Sequence, residues 1–135
     1  MATIFTKIID GTIPSIRIYE DELCIVILDI APVAKGHALV IPKQCWSSVV
    51  ECPEEVFAHI MKIVQKVDKR LREVLAADAT NIVINDGPAA GQEVPHLHVH
   101  VIPRYVKDGL KLQMPKTSYG QGEIEVVGES LNLSR

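Results

Sequence analysis

Residues 91–104 read GQEVPHLHVHVIPR and place three of the chain's five histidines at every second position. Successive side chains of a β-strand project to opposite faces, so His96, His98 and His100 should share one face while the intervening apolar side chains enter the core. Crowding three histidines without a function would cost desolvation and, with protonation, mutual repulsion. We therefore predict a strand over residues 94–102 that presents three imidazoles on a single surface.

Two chemistries make use of three imidazoles on one surface. Alternate imidazoles can bind one metal ion, although a catalytic zinc usually has three protein ligands of mixed spacing, each with an outer hydrogen-bond acceptor. A neutral imidazole can instead attack phosphorus while its neighbours fix the tautomer and neutralise phosphate charge. The flanking residues favour the second chemistry, because Gly91, Gln92 and Asn85 offer donors that can converge on an anionic phosphate.

The segments before this stretch alternate between helix and strand patterns. Pro53 and the two glutamates after it predict the start of a long helix, and residues 80–85 predict a strand followed by a flexible turn. The apolar residues of the helix recur at helical spacing and comprise Val56, Ile60, Ile63, Val64, Val67, Leu71, Val74 and Leu75. This stripe is expected to cover either the chain's own sheet or a second subunit.

The first forty residues predict a short helix and three strands. Thr3 can cap a helix over residues 4–10, which Gly11 ends. Residues 15–20 and 23–29 predict a β-hairpin, and residues 37–41 predict a third strand. The resulting order α-β-β-β-α-β-β indicates an α+β fold, with one long and one short helix on a mostly antiparallel sheet of about five strands.

Length and composition indicate one globular domain over residues 1–135, with 47% hydrophobic and 23% charged residues. A net charge of -3 without a basic field argues against extended nucleic acid as a partner. Three scattered cysteines form no C-x-x-C pair, which argues against a disulfide framework. The sequence shows neither a secretory signal nor an apolar run that could cross a bilayer, so we expect no membrane partner and a cytoplasmic location.

The histidine stretch resembles the H-φ-H-φ-H-φ-φ signature of the histidine-triad (HIT) superfamily, where φ is apolar. Residues 4–14 look like the family's opening helix, residues 28–32 like its ribose-binding strand end, and residues 36–43 like the following strand. These blocks keep their order and span residues 3–105. The resemblance implies a HIT-like fold for this core and a homodimer. The tail, residues 106–135, falls outside it, and only a β-like piece at residues 123–127 is expected there.

The resemblance also implies roles for individual residues. His98 is the implied nucleophile and forms a nucleotidyl-imidazole intermediate, while His96 and His100 contact phosphate and orient the ring. Asp29, followed by Ile30, is implied to hold the ribose hydroxyls. The remaining implied nucleotide-binding positions are Ile4, Phe5, Ile8 and Ile27 around a purine, His37 near the triad, and Asn85, Gly91, Gln92, Glu93 and Val94 around the phosphate and leaving group.

The activity implied by the resemblance is attack on the α-phosphate of a purine nucleotide, first of all as a purine nucleoside phosphoramidase acting on derivatives of AMP or GMP. Hydrolysis of dinucleoside polyphosphates is the nearest alternative. Two further alternatives are a nucleotide-binding interaction module with vestigial activity and a metalloenzyme.

Two departures from the family pattern affect these expectations. Glu93 stands where many members place a hydroxyl residue near the leaving group, and a carboxyl group can donate a proton there only if its surroundings keep it protonated. Many bacterial members bind structural zinc through two cysteines and a histidine at positions that are Thr3, Thr6 and Cys45 in this chain. We therefore predict that the chain binds no zinc or other metal ion and no cofactor.

Overall fold

A five-stranded antiparallel sheet organises residues 2–134, the part of the chain that this computed structural model describes. The strands are β1 Arg17–Glu20, β2 Cys24–Leu28, β3 Ala38–Pro42, β4 Ala79–Val83 and β5 Val99–Arg104. They lie in the order β1-β2-β3-β5-β4, and every neighbouring pair is antiparallel. The helices are α1 Ile4–Ile9, α2 Glu54–Leu75 and α3 Glu123–Leu131, with a 3₁₀ turn at Pro88–Ala90. The predicted α+β fold is confirmed.

Helix α1 covers one face of the sheet. Its first turn is closed by a capping box, in which the Thr3 side chain accepts from the Thr6 backbone N–H and the Thr6 side chain accepts from that of Thr3. Gly11 follows the helix with a φ of 87°, as the sequence predicts. The helix and sheet residues that form this core are Phe5, Ile8, Ile25, Ile27, Leu39 and Ile41. Burying each of these side chains contributes about 1.5–3 kcal/mol.

Helix α2 covers the opposite face. Six residues of its predicted stripe are buried, from Val56 to Leu71, and they pack on β2, β3 and β5. The stripe therefore covers the chain's own sheet, which leaves β2 and β3 buried on both sides. Val74 and Leu75, at the end of the stripe, are 68% and 39% exposed, and Ala76 ends the helix in a left-handed conformation.

The predicted strand over residues 94–102 is wrong at its beginning, since β5 starts only at Val99. Pro95 has no N–H for a sheet, and the His96 N–H turns back to the Val94 carbonyl at 2.8 Å. His96 and His98 therefore precede the strand, and only His100 lies within it. At its far end β5 continues through Pro103, where its pairing with β3 has ended and a missing donor is tolerated.

The predicted β-like piece at residues 123–127 is also wrong, because helix α3 occupies this segment. Gly122 begins the helix in a left-handed conformation, and Glu123 and Glu125 complement the positive end of the helix dipole. All but one of residues 109–134 are exposed. Among residues 2–134, no helix combines the length and apolar character that a membrane crossing requires.

Candidate active site

A cleft of about 440 Å³ opens between α1, the end of β2 and the loop that precedes β5. Antiparallel pairing of β3 with β5 sets Leu39 opposite His100, so the histidine stretch lies directly beside the loop that carries His37. Thirteen of the residues singled out from the sequence line this cleft, namely Ile4, Phe5, Ile8, Ile27, Asp29, Ile30, His37, Asn85, Gly91, Glu93, Val94, His98 and His100.

His96 and Gln92 are the two singled-out residues that do not line the cleft. His96 is fully buried, with Nε2 2.8 Å from the Pro42 carbonyl and Nδ1 3.1 Å from the Thr3 hydroxyl. Gln92 accepts from the Gly87 N–H and donates to the Ser47 carbonyl, both at 2.8 Å. The Gln92 side chain therefore ties two loops together behind the cleft wall, and His96 ties that wall to the cap of α1.

One hydrogen bond determines the tautomer of His98. The Nδ1 atom lies 2.7 Å from the carbonyl oxygen of His96, which can only accept. Nδ1 must then carry the proton, which leaves a lone pair on Nε2 of the neutral ring. The Phe5 ring contacts the imidazole edge to face at 4.9 Å, so the ring is fixed as well as buried. A neutral imidazole nitrogen with a free lone pair can act as a nucleophile.

The protons of His37 and His100 follow from a second chain of hydrogen bonds. The Val33 backbone N–H donates to His37 Nδ1 at 3.1 Å, so the His37 proton is on Nε2 and is donated to His100 Nδ1 at 2.9 Å. The neutral His100 ring therefore carries its own proton on Nε2. His100 lines the cleft beside His98, with ring centroids 5.0 Å apart, and provides a hydrogen-bond donor next to the His98 ring.

Burial keeps these neighbouring imidazoles neutral. It lowers the pKa of His37 and of His96, and it lowers the pKa of His100 to about 4, where the nearby His98 and His37 rings add to the effect. Asp29 acts in the opposite direction on His37 and His100, but desolvation outweighs it. The 3.8 Å approach of Asp29 to His37 is therefore a contact with a neutral ring rather than an ion pair.

Asp29 leaves β2 at the rim of the cleft. One of its oxygens accepts from the Ala31 backbone N–H at 2.9 Å, which orients the carboxylate in the turn. Asp29, His37 and His100 bring one ligand atom each within 4.8 Å of one another, a spacing that suits a metal ion. A metal there would have to displace the proton that His37 donates to His100, so the existing hydrogen bond competes with metal binding.

The positions of the bacterial zinc ligands carry a hydrogen-bonded network instead. The Thr3 and Thr6 side chains bond to each other's backbone N–H, and Thr3 also bonds to His96. The Cys45 thiol lies 3.8 Å from the Pro95 carbonyl. Hydroxyl groups thus join α1 to the histidine stretch at this place.

Several residues of the cleft were not singled out from the sequence. Leu39 lies in β3 two positions after His37, which immediately precedes the strand, and both side chains line the cleft. Ile13 and Pro14 fall inside the block that resembles the family's opening helix and continue the cleft wall beyond α1. Val33 acts through its backbone N–H, which has no signature in a sequence.

An apolar cleft that ends in a cluster of neutral imidazoles is the site of a histidine-triad protein. The HIT domain model matches residues 10–107, and the chain belongs to this family. An uncharacterized HIT-like protein of Methanocaldococcus jannaschii is 47% identical over 106 residues, covering 78% of this chain and 81% of that protein. An adenosine 5'-monophosphoramidase of Schizosaccharomyces pombe is 38% identical over 133 residues, covering 98% and 97%.

Solved structures share the same architecture. A HIT family protein from Bacillus subtilis superposes with a TM-score of 0.88 at 37% sequence identity, covering 97% of this chain and 95% of that protein. The similarity therefore extends beyond the domain and into the tail that carries α3.

Proposed function

We propose that this chain is a nucleotide hydrolase that acts through a nucleotidyl-histidine intermediate on His98, and that purine nucleoside phosphoramidates are its substrates. The observation that carries the proposal is the bond from His98 Nδ1 to the His96 carbonyl, which places the proton of the neutral ring on Nδ1 and the lone pair on Nε2 in a buried cleft. The family membership and the phosphoramidase among its relatives support the same reaction class.

The reaction has two displacement steps. His98 Nε2 attacks the α-phosphorus, the phosphorus–nitrogen bond of the substrate breaks, and the departing amine takes a proton from solvent. Water then attacks the same phosphorus and releases a proton to solvent, the bond to Nε2 breaks, and the nucleoside monophosphate leaves with the original neutral ring restored. The imidazole carries a positive charge while it is nucleotidylated, and the His96 carbonyl bonded to Nδ1 stabilises that charge.

His100 supports this chemistry as a neutral donor. Its Nε2 proton can bond to a phosphate oxygen, whose charge grows during attack, and the low pKa of His100 keeps it from becoming a like charge beside the nucleotidylated His98 ring. His96 would act indirectly, by presenting its carbonyl, rather than by touching phosphate.

The shape of the cleft supports a purine nucleotide. Its volume falls within the range of about 300–1,000 Å³ that is common for small-molecule sites. Phe5, Ile8 and Ile27 form an apolar part that a purine ring can fill, and the Asp29 carboxylate at the rim can accept from ribose hydroxyls.

Glu93 supports a phosphoramidate over a dinucleoside polyphosphate as substrate. It is exposed and lines the cleft near Gly91 and Val94, where the leaving group would lie. A carboxylate there repels a leaving group that carries several phosphate charges, whereas it attracts an amine that gains a proton as it departs. We expect Glu93→Ser to lower the ratio of phosphoramidase activity to dinucleoside polyphosphatase activity.

Substitution of His98 tests the proposal. Because covalent catalysis depends on this nitrogen, His98→Ala should lower kcat on adenosine phosphoramidate by about 10⁴-fold or more. Titration calorimetry with AMP measures nucleotide binding by the variant and thereby controls for folding. Turnover within about threefold of the parent would contradict the role of His98, and tight nucleotide binding without turnover by the parent would favour the interaction module.

We further propose that the protein is a homodimer whose tails are covered by the second subunit. Helix α3 has no buried residue, and its Ile124 and Leu131 are 55% and 69% exposed. A nine-residue helix is not stable alone in water, so its apolar side chains need a partner. Sedimentation at micromolar concentration distinguishes a dimer from a monomer.

We also propose that the protein is cytoplasmic. The three cysteines are unpaired, as expected of a reducing compartment. Fractionation of cells with the native protein tests it, since recovery in a membrane or secreted fraction would contradict it.

A further inference from the structure

A second group of metal-ligating side chains lies away from the cleft. Asp21 belongs to the turn between β1 and β2, Cys24 begins β2, and His59 lies in α2. One ligand atom from each lies within 4.8 Å of the other two. Cys24 packs with the α2 side of the sheet, whereas its neighbour Ile25 packs on the α1 side that forms the cleft.

We propose that Asp21, Cys24 and His59 form a binding site for a divalent transition metal of the zinc class. The ligand set of one sulfur, one imidazole nitrogen and one carboxylate oxygen suits Zn²⁺ or Co²⁺ and is poorly suited to Mg²⁺ or Ca²⁺. Zinc bonds to these atoms are about 2.0–2.3 Å long, so a metal at the centre needs only small side-chain movements. Water completes the tetrahedron.

The carboxylate is already oriented for this role. One oxygen of Asp21 accepts the backbone N–H groups of Leu23 and Cys24 at 2.8 and 2.9 Å, which holds the group in place. The other oxygen lies 2.6 Å from His59 Nε2 and accepts from the Tyr19 hydroxyl at 2.8 Å. Such outer hydrogen bonds orient ligands in metal sites.

Metal binding exchanges protons for the ion. The Asp21 carboxylate can only accept, so the proton of its bond to His59 lies on Nε2. When the metal takes that place, Nε2 loses this proton and the neutral ring carries its one proton on Nδ1, while the Cys24 thiol releases its proton to solvent. Burial, together with the charge of Asp21, raises the pKa of Cys24 to about 12, so the thiol is protonated in the metal-free protein. Lys43, the cation whose charge acts on the Cys24 thiol, is paired with Glu20 at 2.8 Å.

The site is accessible and has a defined structural effect. Cys24 is fully buried, while the side chains of His59 and Asp21 are 28% and 22% exposed, so an ion can enter from the His59 side. A bound ion would tie the β1–β2 turn to α2 on the face of the sheet opposite the catalytic histidines. Occupancy should therefore change stability and leave hydrolysis unchanged.

Cobalt titration of the chelator-treated protein tests the proposal. Binding should produce a sulfur-to-cobalt charge-transfer band and the intense visible bands of tetrahedral Co²⁺, saturating at one equivalent, and Zn²⁺ should abolish them. The sulfur band distinguishes this site from the Asp29, His37 and His100 group, which contains no cysteine. His59→Gln and Asp21→Asn should each weaken cobalt binding by at least about tenfold, since even outer partners of ligands are worth that much.

Cys45→Ser is the matched control, because it removes a thiol that is outside the group. This variant should keep the band, and Cys24→Ser should lose it. If Cys24→Ser fails to fold, the His59 and Asp21 variants still decide. Three outcomes would overturn the proposal. The sulfur band is absent, His59→Gln binds cobalt with the affinity of the parent, or Cys45→Ser loses the band.

Discussion

The tautomer of His98 is set by a carbonyl group two residues earlier in the chain. The His96 carbonyl accepts the Nδ1 proton and thereby selects the tautomer that has a free lone pair on Nε2. Two further fixed bonds, from Val33 to His37 and from His37 to His100, select the tautomer of the neighbouring ring. The proton positions of the cleft are therefore set by backbone groups at both ends.

The His37 prediction follows from this chain of bonds. His37→Ala removes the donor to His100 Nδ1, so His100 is free to change tautomer and lose its donor toward the cleft. We expect kcat to fall by about 10²-fold, with KM within about threefold of the parent. Steady-state kinetics at pH 7 measure both, and Asp29→Asn, which should raise KM instead, is the comparison. An unchanged kcat in a folded His37→Ala variant would contradict the positioning role.

Stability should depend on the same imidazoles in acid. The pKa of His100 is lowered to about 4 in the folded state, from about 6.5 in the unfolded chain, so the unfolded state binds more protons between these values. The free energy of unfolding should consequently fall as pH drops from 6.5 toward 4. Urea unfolding at several pH values across this range measures that free energy. Its dependence on pH should be weaker for His100→Asn than for the parent. Equal slopes would contradict it, because the other groups whose pKa values are lowered, among them His37 and His96, are present in both proteins.

At the scale of elements, the N-cap residue of α1 is hydrogen-bonded to the histidine stretch. The Thr3 hydroxyl serves both the Thr6 N–H and the Nδ1 atom of buried His96. His96 in turn holds the carbonyl that orients His98, so the first turn of α1 affects the nucleophile without touching it.

Thr3→Ala should therefore reduce both stability and activity. Loss of an N-cap costs about 1 kcal/mol, and leaving the His96 nitrogen without its partner adds about 1–3 kcal/mol. Chemical denaturation measures the change, and Thr12→Ala, at an exposed position just after α1, is the matched control. A Thr3→Ala variant as stable as Thr12→Ala would show that the Thr3 to His96 bond contributes nothing.

Most elements of the sheet were predictable, because periodicity and turn residues agree along residues 3–90. Thr3 and Gly11 mark α1, and the stripe of α2 reads at helical spacing. The start of β5 was not predictable from alternation, because Pro95 and a backbone turn interrupt the sheet inside an alternating sequence. The shift leaves His98 and His100 on the cleft and His96 behind it.

At the scale of the whole molecule, the sheet separates two sites of different chemistry. The α1 face holds the cleft, and the α2 face holds Asp21, Cys24 and His59. A short apolar segment such as residues 123–127 fits a strand and a helix equally well from its sequence alone. Which of the two forms depends on the surface that the segment packs against, and the sequence of the tail does not reveal that surface.

Removal of residues 111–135 tests the role of the tail. Neither core cluster contains a residue of this segment, so the shortened protein should fold. It should sediment as a monomer, because the apolar side chains of α3 are the surface that a second subunit would cover. The full chain at the same concentration is the control. A shortened protein that remains a dimer would assign the subunit contact to another surface.

Capture of the covalent intermediate tests the central claim most directly. Protein mixed with adenosine phosphoramidate is quenched rapidly in alkali, which preserves a phosphorus–nitrogen bond on histidine, and the digested peptides are analysed by mass spectrometry. We predict one adenylyl group on His98 in the parent and none in His98→Ala. Steady turnover with an adenylyl group on a different residue, or with no adduct at any quench time under conditions where its formation is fast, would contradict nucleophilic catalysis by His98.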